Sequence, residues 1–200
     1  MADTSPTRSA VIEMKDERRA MHEGYVFLDE KCLLLAGEIL RQLAVHARLQ
    51  AGFEALHTQA LATLAGAVAR HGLEGLQLHP PPDARSAGVQ ATPRSLMGVK
   101  LQAVRWQAGT EAAPPAVQPS PEAAACRSAF ATALAAAAEL AGVAGNLERL
   151  SFEYRRAVRR ARALQDVMLP ELERSIADIE GRLDELEQED AVWMRQGAAR

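Results

Sequence analysis

The sequence predicts a mainly α protein: a long antiparallel two-helix coiled coil with a small β-hairpin or loop insert at the turn. Three observations carry that expectation. A heptad runs unbroken from Val11 to Ala67, eight of the ten prolines are confined to residues 72–121, and a second apolar seam recurs between Leu172 and Leu186. The expected division is a first helix over 1–71, a proline-rich insert over 72–121 and a second helix over 122–200.

Composition supports long helices over a compact mixed core. Aromatics make up 4% of the 200 residues and charged residues 24%, and alanine is abundant. A net charge of −3 argues against a nucleic-acid footprint for the whole chain. No signal peptide is apparent, and no apolar run reads as long enough to span a bilayer; AFATALAAAAELAGVAG is small and broken by Glu139. The expectation is a cytoplasmic chain with no direct membrane insertion.

In the first helix, after a polar lead-in with Pro6 placed to begin it, one column reads Val11, Arg18, Tyr25, Cys32, Ile39, His46, Phe53, Ala60 and Ala67. The other reads Met14, Met21, Leu28, Leu35, Gln42, Leu49, Leu56 and Thr63. A pattern sustained this long argues for a coiled coil. Gly24, Gly37, Gly52 and Gly66 each weaken the helix by about 1 kcal/mol relative to alanine, and one or two of them are expected to admit a close backbone approach.

The prolines at 80, 81, 82, 93, 114, 115, 119 and 121 stop any long helix from crossing the insert. GLQLH (75–79) and MGVKLQAVRW (97–106) are its candidate strands, and PPPDARSAGVQATP also reads as loop. The Pro114–Pro121 stretch is expected to lead, extended, into the second helix.

That helix begins alanine-rich, so its seam is shallow. Leu172, Ile176, Ile179, Leu183 and Leu186 then recur at four- and three-residue steps, continued by Asp190 and Trp193. Pro170 interrupts the pattern and is expected to bend the helix, or to keep its seam in register. Helices of this size are roughly 95 and 110 Å long at 1.5 Å per residue. Aligning their ends sets Tyr25 near Ile176 and Arg18 near Leu183 and Asp184, and sets Cys32 and Cys126 too far apart to form a disulfide.

Charge is segregated on this second helix. Arg149, Arg155, Arg156, Arg159, Arg160 and Arg162 occupy one part, and ten acids against Arg174 and Arg182 fill 166–190. Blocks of one sign suit different partners at different levels; a solvated face is the plainer reading.

The run EYRRAVRRARALQDVMLPEL resembles the signature of the D subunit of the V-type/A-type rotary ATPases, through Glu153, Tyr154, Arg155, Arg156, Arg159, Arg160, Ala163, Leu164 and Pro170. Leu183, Glu185, Glu187 and Glu189 are similar to the acidic stretch that follows. Near the start, Pro6–Arg8 and the Gly24, Leu28, Lys31 spacing resemble the same family, as does the Met97-Gly98-Val99 triplet in the insert. The chain departs from the pattern at Arg162 and Gln165, and at Cys32 and Leu33 after Lys31.

The resemblance implies a central-stalk rotor shaft that carries torque between a catalytic hexamer and a membrane ion ring. It implies as partners the hexamer, the small central-stalk F subunit and an adaptor above the ring, with the chain peripheral to the membrane. Under that resemblance Arg155, Arg156, Arg159, Arg160, Lys31 and Gly98 are candidate partner contacts.

An enzyme is not expected, and neither is a cofactor or metal. The five histidines show no paired ligand spacing, the two cysteines make no metal motif, and no phosphate-binding glycine loop is present. One alternative is an arginine-rich hairpin binding RNA or an anionic surface, against which the downstream acids and the lack of a stacking platform argue. Another is a generic coiled-coil scaffold.

Overall fold

A computed structural model describes residues 7–79, 87–109 and 119–198. Helix α1 spans Arg8–Gln77, strands β1 and β2 span Gly88–Leu96 and Val99–Gln107, and α2 spans Pro121–Ala163. A π-helical turn over Leu164–Met168 joins α2 to α3, Leu169–Ala198. The chain is thus a pair of long helices with a two-stranded antiparallel insert. It divides into a terminal unit, Met1–Leu34 with Tyr154–Arg200, and an inner unit, Leu35–Glu153.

The heptad of α1 is obeyed closely. Val11, Leu35, Gln42, Ala60 and Ala67 are buried and the other column residues half-buried; Arg18 alone is exposed. The helix begins at Thr7, whose Oγ1 accepts the Ala10 amide at 3.2 Å as an N-cap; Pro6 lies outside the described residues. Gly72 leaves helical geometry (φ 69°, ψ 169°), yet the helix resumes to Gln77. The expected strand at 75–79 is therefore overturned, and the true partner of β2 is GVQATPRSL. Pro80–Pro82 and Pro114–Pro115 lie outside the described residues.

In the terminal unit Val11, Ile176 and Ile179 form a core flanked by Met14, Leu172 and Leu183. Arg8 pairs with Glu187, and Lys15 with Glu180 at 2.6 Å. This corrects the end-to-end register. Ile176 packs beside Val11 and Met14 rather than Tyr25, and Arg18 lines a cleft with Leu169 and Glu173 rather than meeting Leu183 and Asp184. Burial of the C-terminal seam ends at Leu183, because Leu186 and Trp193 are exposed.

The π-turn has a counting role. Upstream, Ala157 and Ala161 are buried and Leu164 half-buried. Regular continuation of that series past Met168 would set Glu171, Ser175, Asp178 and Arg182 on the seam. All four are exposed; the seam instead takes Leu172, Ile176, Ile179 and Leu183, each one residue later. One extra residue is absorbed where the Leu169 amide reaches back to the Leu164 carbonyl, an i→i−5 bond. Pro170 follows directly. In a regular α-helix the ring of Pro170 would press against the Asp166 carbonyl.

In the inner unit the largest fully buried side chains are Leu35, Leu101 and Leu150. Arg70 pairs with Glu122 at 3.2 Å, which ties the last turns of α1 to the start of α2. Ser120 Oγ caps α2 by accepting the Ala123 amide at 3.2 Å, and it lies 2.7 Å from His71 Nε2. Of Gly24, Gly37, Gly52 and Gly66, only Gly24 would set an added Cβ within 4 Å of a neighbour, Leu164 Cδ1 at 3.9 Å. The close approach is at Gly142 of α2, where an added Cβ would stand 2.7 Å from Val104. By length and composition an 18-residue window in the helical run Pro121–Gly197 is apolar enough to cross a membrane, contrary to the sequence expectation. The alanine-rich run supplies that apolarity, and within the inner unit it packs through Ala133 and Gly142. Both cysteines are free, and burial pushes the Cys32 thiol up.

Candidate functional site: an arginine face and an anchored hairpin

The alternation of small buried and long charged residues after Tyr154 decides which way the arginines point. Ala157 and Ala161 take the seam, and at about 100° per residue Arg155, Arg159 and Arg162 fall on the opposite side of the helix, with Arg156 and Arg160 along its flank. All five are exposed. Among the described residues none of them forms an ion pair, whereas Arg8, Arg41, Arg70 and Arg94 all do. Five guanidiniums without counter-charges make a surface suited to carboxylates or carbonyl groups, which Arg engages through its planar fork.

The hairpin is fixed by polar anchors that the sequence reading missed. Its two-residue turn, Met97 (φ 47°) and Gly98 (φ 83°), has positive φ at both positions, the geometry matched to strand twist. Asn146 of α2 acts as a surrogate strand. Its Oδ1 accepts the Gln102 amide and its Nδ2 donates to the Gln102 carbonyl, both at 2.8 Å. Counted from the Leu96–Val99 pair beside the turn, Pro93 and Gln102 form a non-hydrogen-bonded pair, so the Gln102 amide and carbonyl face away from β1, toward Asn146, and Pro93, which has no amide, blunts the outer edge of β1. Beside the turn, Gly98, Val99, Glu148, Arg149, Phe152 and Glu153 line a shallow cleft of about 370 Å³.

Arg94 of β1 pairs with Glu38 of α1, which also accepts from Arg41 (2.6 and 2.8 Å) and from Gln42 (2.8 Å). The Arg41 hydrogen bonds, against the opposing effect of burial, hold the Glu38 carboxyl down at about 2, with help from Gln42 and Arg94. A polar residue inside an otherwise small-residue run was the available signal for Asn146. Nothing in the spacing pointed to the Glu38–Arg94 pair.

Of the candidate contacts, the four named arginines share one face of the terminal unit. Lys31 is a half-buried residue of α1 in that unit, and Gly98 belongs to the inner unit at the hairpin turn. Among the described residues no group of three or more His, Cys, Asp or Glu is placed to hold a metal ion.

A family model described as the ATP synthase D subunit matches residues 10–196. The chain is 31% identical to the V-type ATP synthase D subunit of Anaeromyxobacter sp. (strain K), over all of this chain and 98% of that protein. It is 25% identical to the A-type ATP synthase D subunit of Methanopyrus kandleri, over 98% and 86% of the two chains. Against the V-type ATP synthase D subunit of Thermotoga neapolitana the identity is 24%, over 96% and 95%. The match runs through both long helices and the hairpin between them, and the chain belongs to the ATP synthase D-subunit family.

Proposed function

We propose that this chain is the central rotor-shaft subunit of a V/A-type rotary ATPase, a non-catalytic part that transmits torque between the catalytic hexamer and the membrane ion ring. The observation that carries the reading is the arginine face: five exposed guanidiniums, unpaired among the described residues, within a sequence that matches the D-subunit family along nearly its whole length. In this reading the hexamer surrounds part of the helix pair, a small F subunit binds its side and an adaptor joins it to the ring. The chain is then cytoplasmic and peripheral to the membrane. Arg155, Arg156, Arg159 and Arg160 meet acidic or carbonyl groups of those neighbours, and Lys31 and Gly98 are further contacts. An uneven charge surface is what a shaft needs if surrounding sites are to occupy different states as it turns.

The test is a native pull-down of the tagged chain from its own cells, with co-purifying subunits identified by mass. Recovery of the nucleotide-binding subunits and a small companion in fixed stoichiometry is expected. Recovery of RNA or lipid in their place would overturn the reading.

A further inference from the structure

Helix α1 is apolar on two opposite sides, and its coiled-coil partner uses one of them. Within the terminal unit, Met21, Tyr25, Leu28 and Cys32 are the half-buried seam residues. On the far side stand Val26, Phe27, Leu33 and Leu34, which remain 42, 56, 69 and 53% exposed. At about 100° per residue these four fall within an arc of about 120°, with Glu23 and Glu30 along its midline. Both acids are exposed, and neither forms an ion pair among the described residues. A helix apolar all round is normally buried, and four large side chains grouped on one exposed face mark a contact surface.

We infer that residues 23–34 of α1 dock an amphipathic helix of another protein, one that lays an apolar ridge on this face and carries Lys or Arg at every seventh residue. Charge selects the occupant. Glu23 and Glu30 are seven residues apart, about 10.5 Å along the axis. A helix laid alongside with a cation at one heptad position meets both, giving a local three-helix coiled coil with its charges matched. A second copy docked face to face sets Glu23 and Glu30 against the same acids. An anionic lipid surface meets the same unpaired carboxylates. The surface stands independently of the rotor reading, because it uses neither the arginine face nor torque.

The test places a photo-crosslinking benzoylphenylalanine at Phe27 in the full-length chain, in its own cells, and sequences the cross-linked peptides by mass. The expected product is one segment of another protein with apolar residues at three- and four-residue steps and Lys or Arg at seven-residue spacing. Glu23→Lys with Glu30→Lys is expected to lower the cross-link yield at least tenfold, with helix content by circular dichroism unchanged. Glu13→Lys, outside the face, leaves the yield unaltered. Cross-links to a second copy, to lipid, to a segment without the basic repeat, or to nothing defined would each overturn the inference. So would an undiminished yield in the double charge reversal.

Discussion

Replacing Gly142 by alanine sets two effects against each other, and the structure fixes which wins. In an open helix the change gains about 1 kcal/mol of helix propensity. Here the new Cβ would stand 2.7 Å from both Cβ and Cγ2 of Val104 and 3.4 Å from its backbone nitrogen. The obstruction is a branched strand residue, not the end of a flexible chain, so β2 must move. Overpacking of this kind costs about 1–3 kcal/mol, and the strain lies at the upper end. The net expectation is destabilisation by about 1–2 kcal/mol, read by urea titration, with faster hydrogen exchange of the β2 amides. Gly52→Ala and Gly66→Ala meet nothing within 4 Å and should stabilise by about 0.5–1 kcal/mol. Val104→Gly removes both obstructing atoms, so in that background Gly142→Ala should become stabilising, a coupling of about 2–3 kcal/mol. If Gly142→Ala stabilises as much as Gly52→Ala, the close packing of β2 on α2 is wrong.

Three further expectations follow from the anchors and the seam. Asn146→Leu leaves the amide and the carbonyl of Gln102 unpaired and should cost about 2–4 kcal/mol, while Asn146→Asp, which keeps an acceptor for the amide, should protect Gln102 from exchange better than leucine does. Glu38 has its carboxyl lowered from 4.5 to about 2, so its contribution is fully present above about pH 4.5 and is lost as pH falls toward 2; screening around its half-exposed arginine partners limits it to about 1–3 kcal/mol. The stability difference between the parent and Glu38→Gln should therefore shrink across that window, and a constant difference would contradict the hydrogen-bonded carboxylate. Deleting Val167 together with Pro170→Ala yields a regular α-helix whose two seams are already in phase. It should keep or raise the melting temperature, whereas a drop of the size expected for a broken seam would refute the one-residue count.

The legible parts of the fold were those written in large side chains at fixed steps. The columns from Val11 and Met14 needed only a heptad count, because bulky residues or their replacements filled nearly every position. The hairpin was half legible. VKLQAVRWQ alternates well enough to be found, but every residue of β1 from Val89 to Ser95 is exposed. That strand is held by pairing with β2, so it carries no apolar alternation to read. GLQLH alternates yet is largely helical, because α1 resumes after Gly72.

The register and the π-turn were hidden for a related reason. The seam upstream of Leu164 is built from Ala157 and Ala161, whose small size leaves little periodic signal among five arginines. Its phase break against Leu172 could not be seen without burial. The arginine cluster itself was plain in the sequence. What required coordinates was that all five are exposed and that no carboxylate among the described residues meets them.

The most direct test of the rotor reading is coupling in the purified complex carrying Arg155→Glu, Arg156→Glu, Arg159→Glu and Arg160→Glu, with ions moved per ATP hydrolysed measured in reconstituted vesicles. Loss of ion transport while hydrolysis continues, with the helix content of the isolated chain unchanged, is the predicted result. Normal coupling would contradict it.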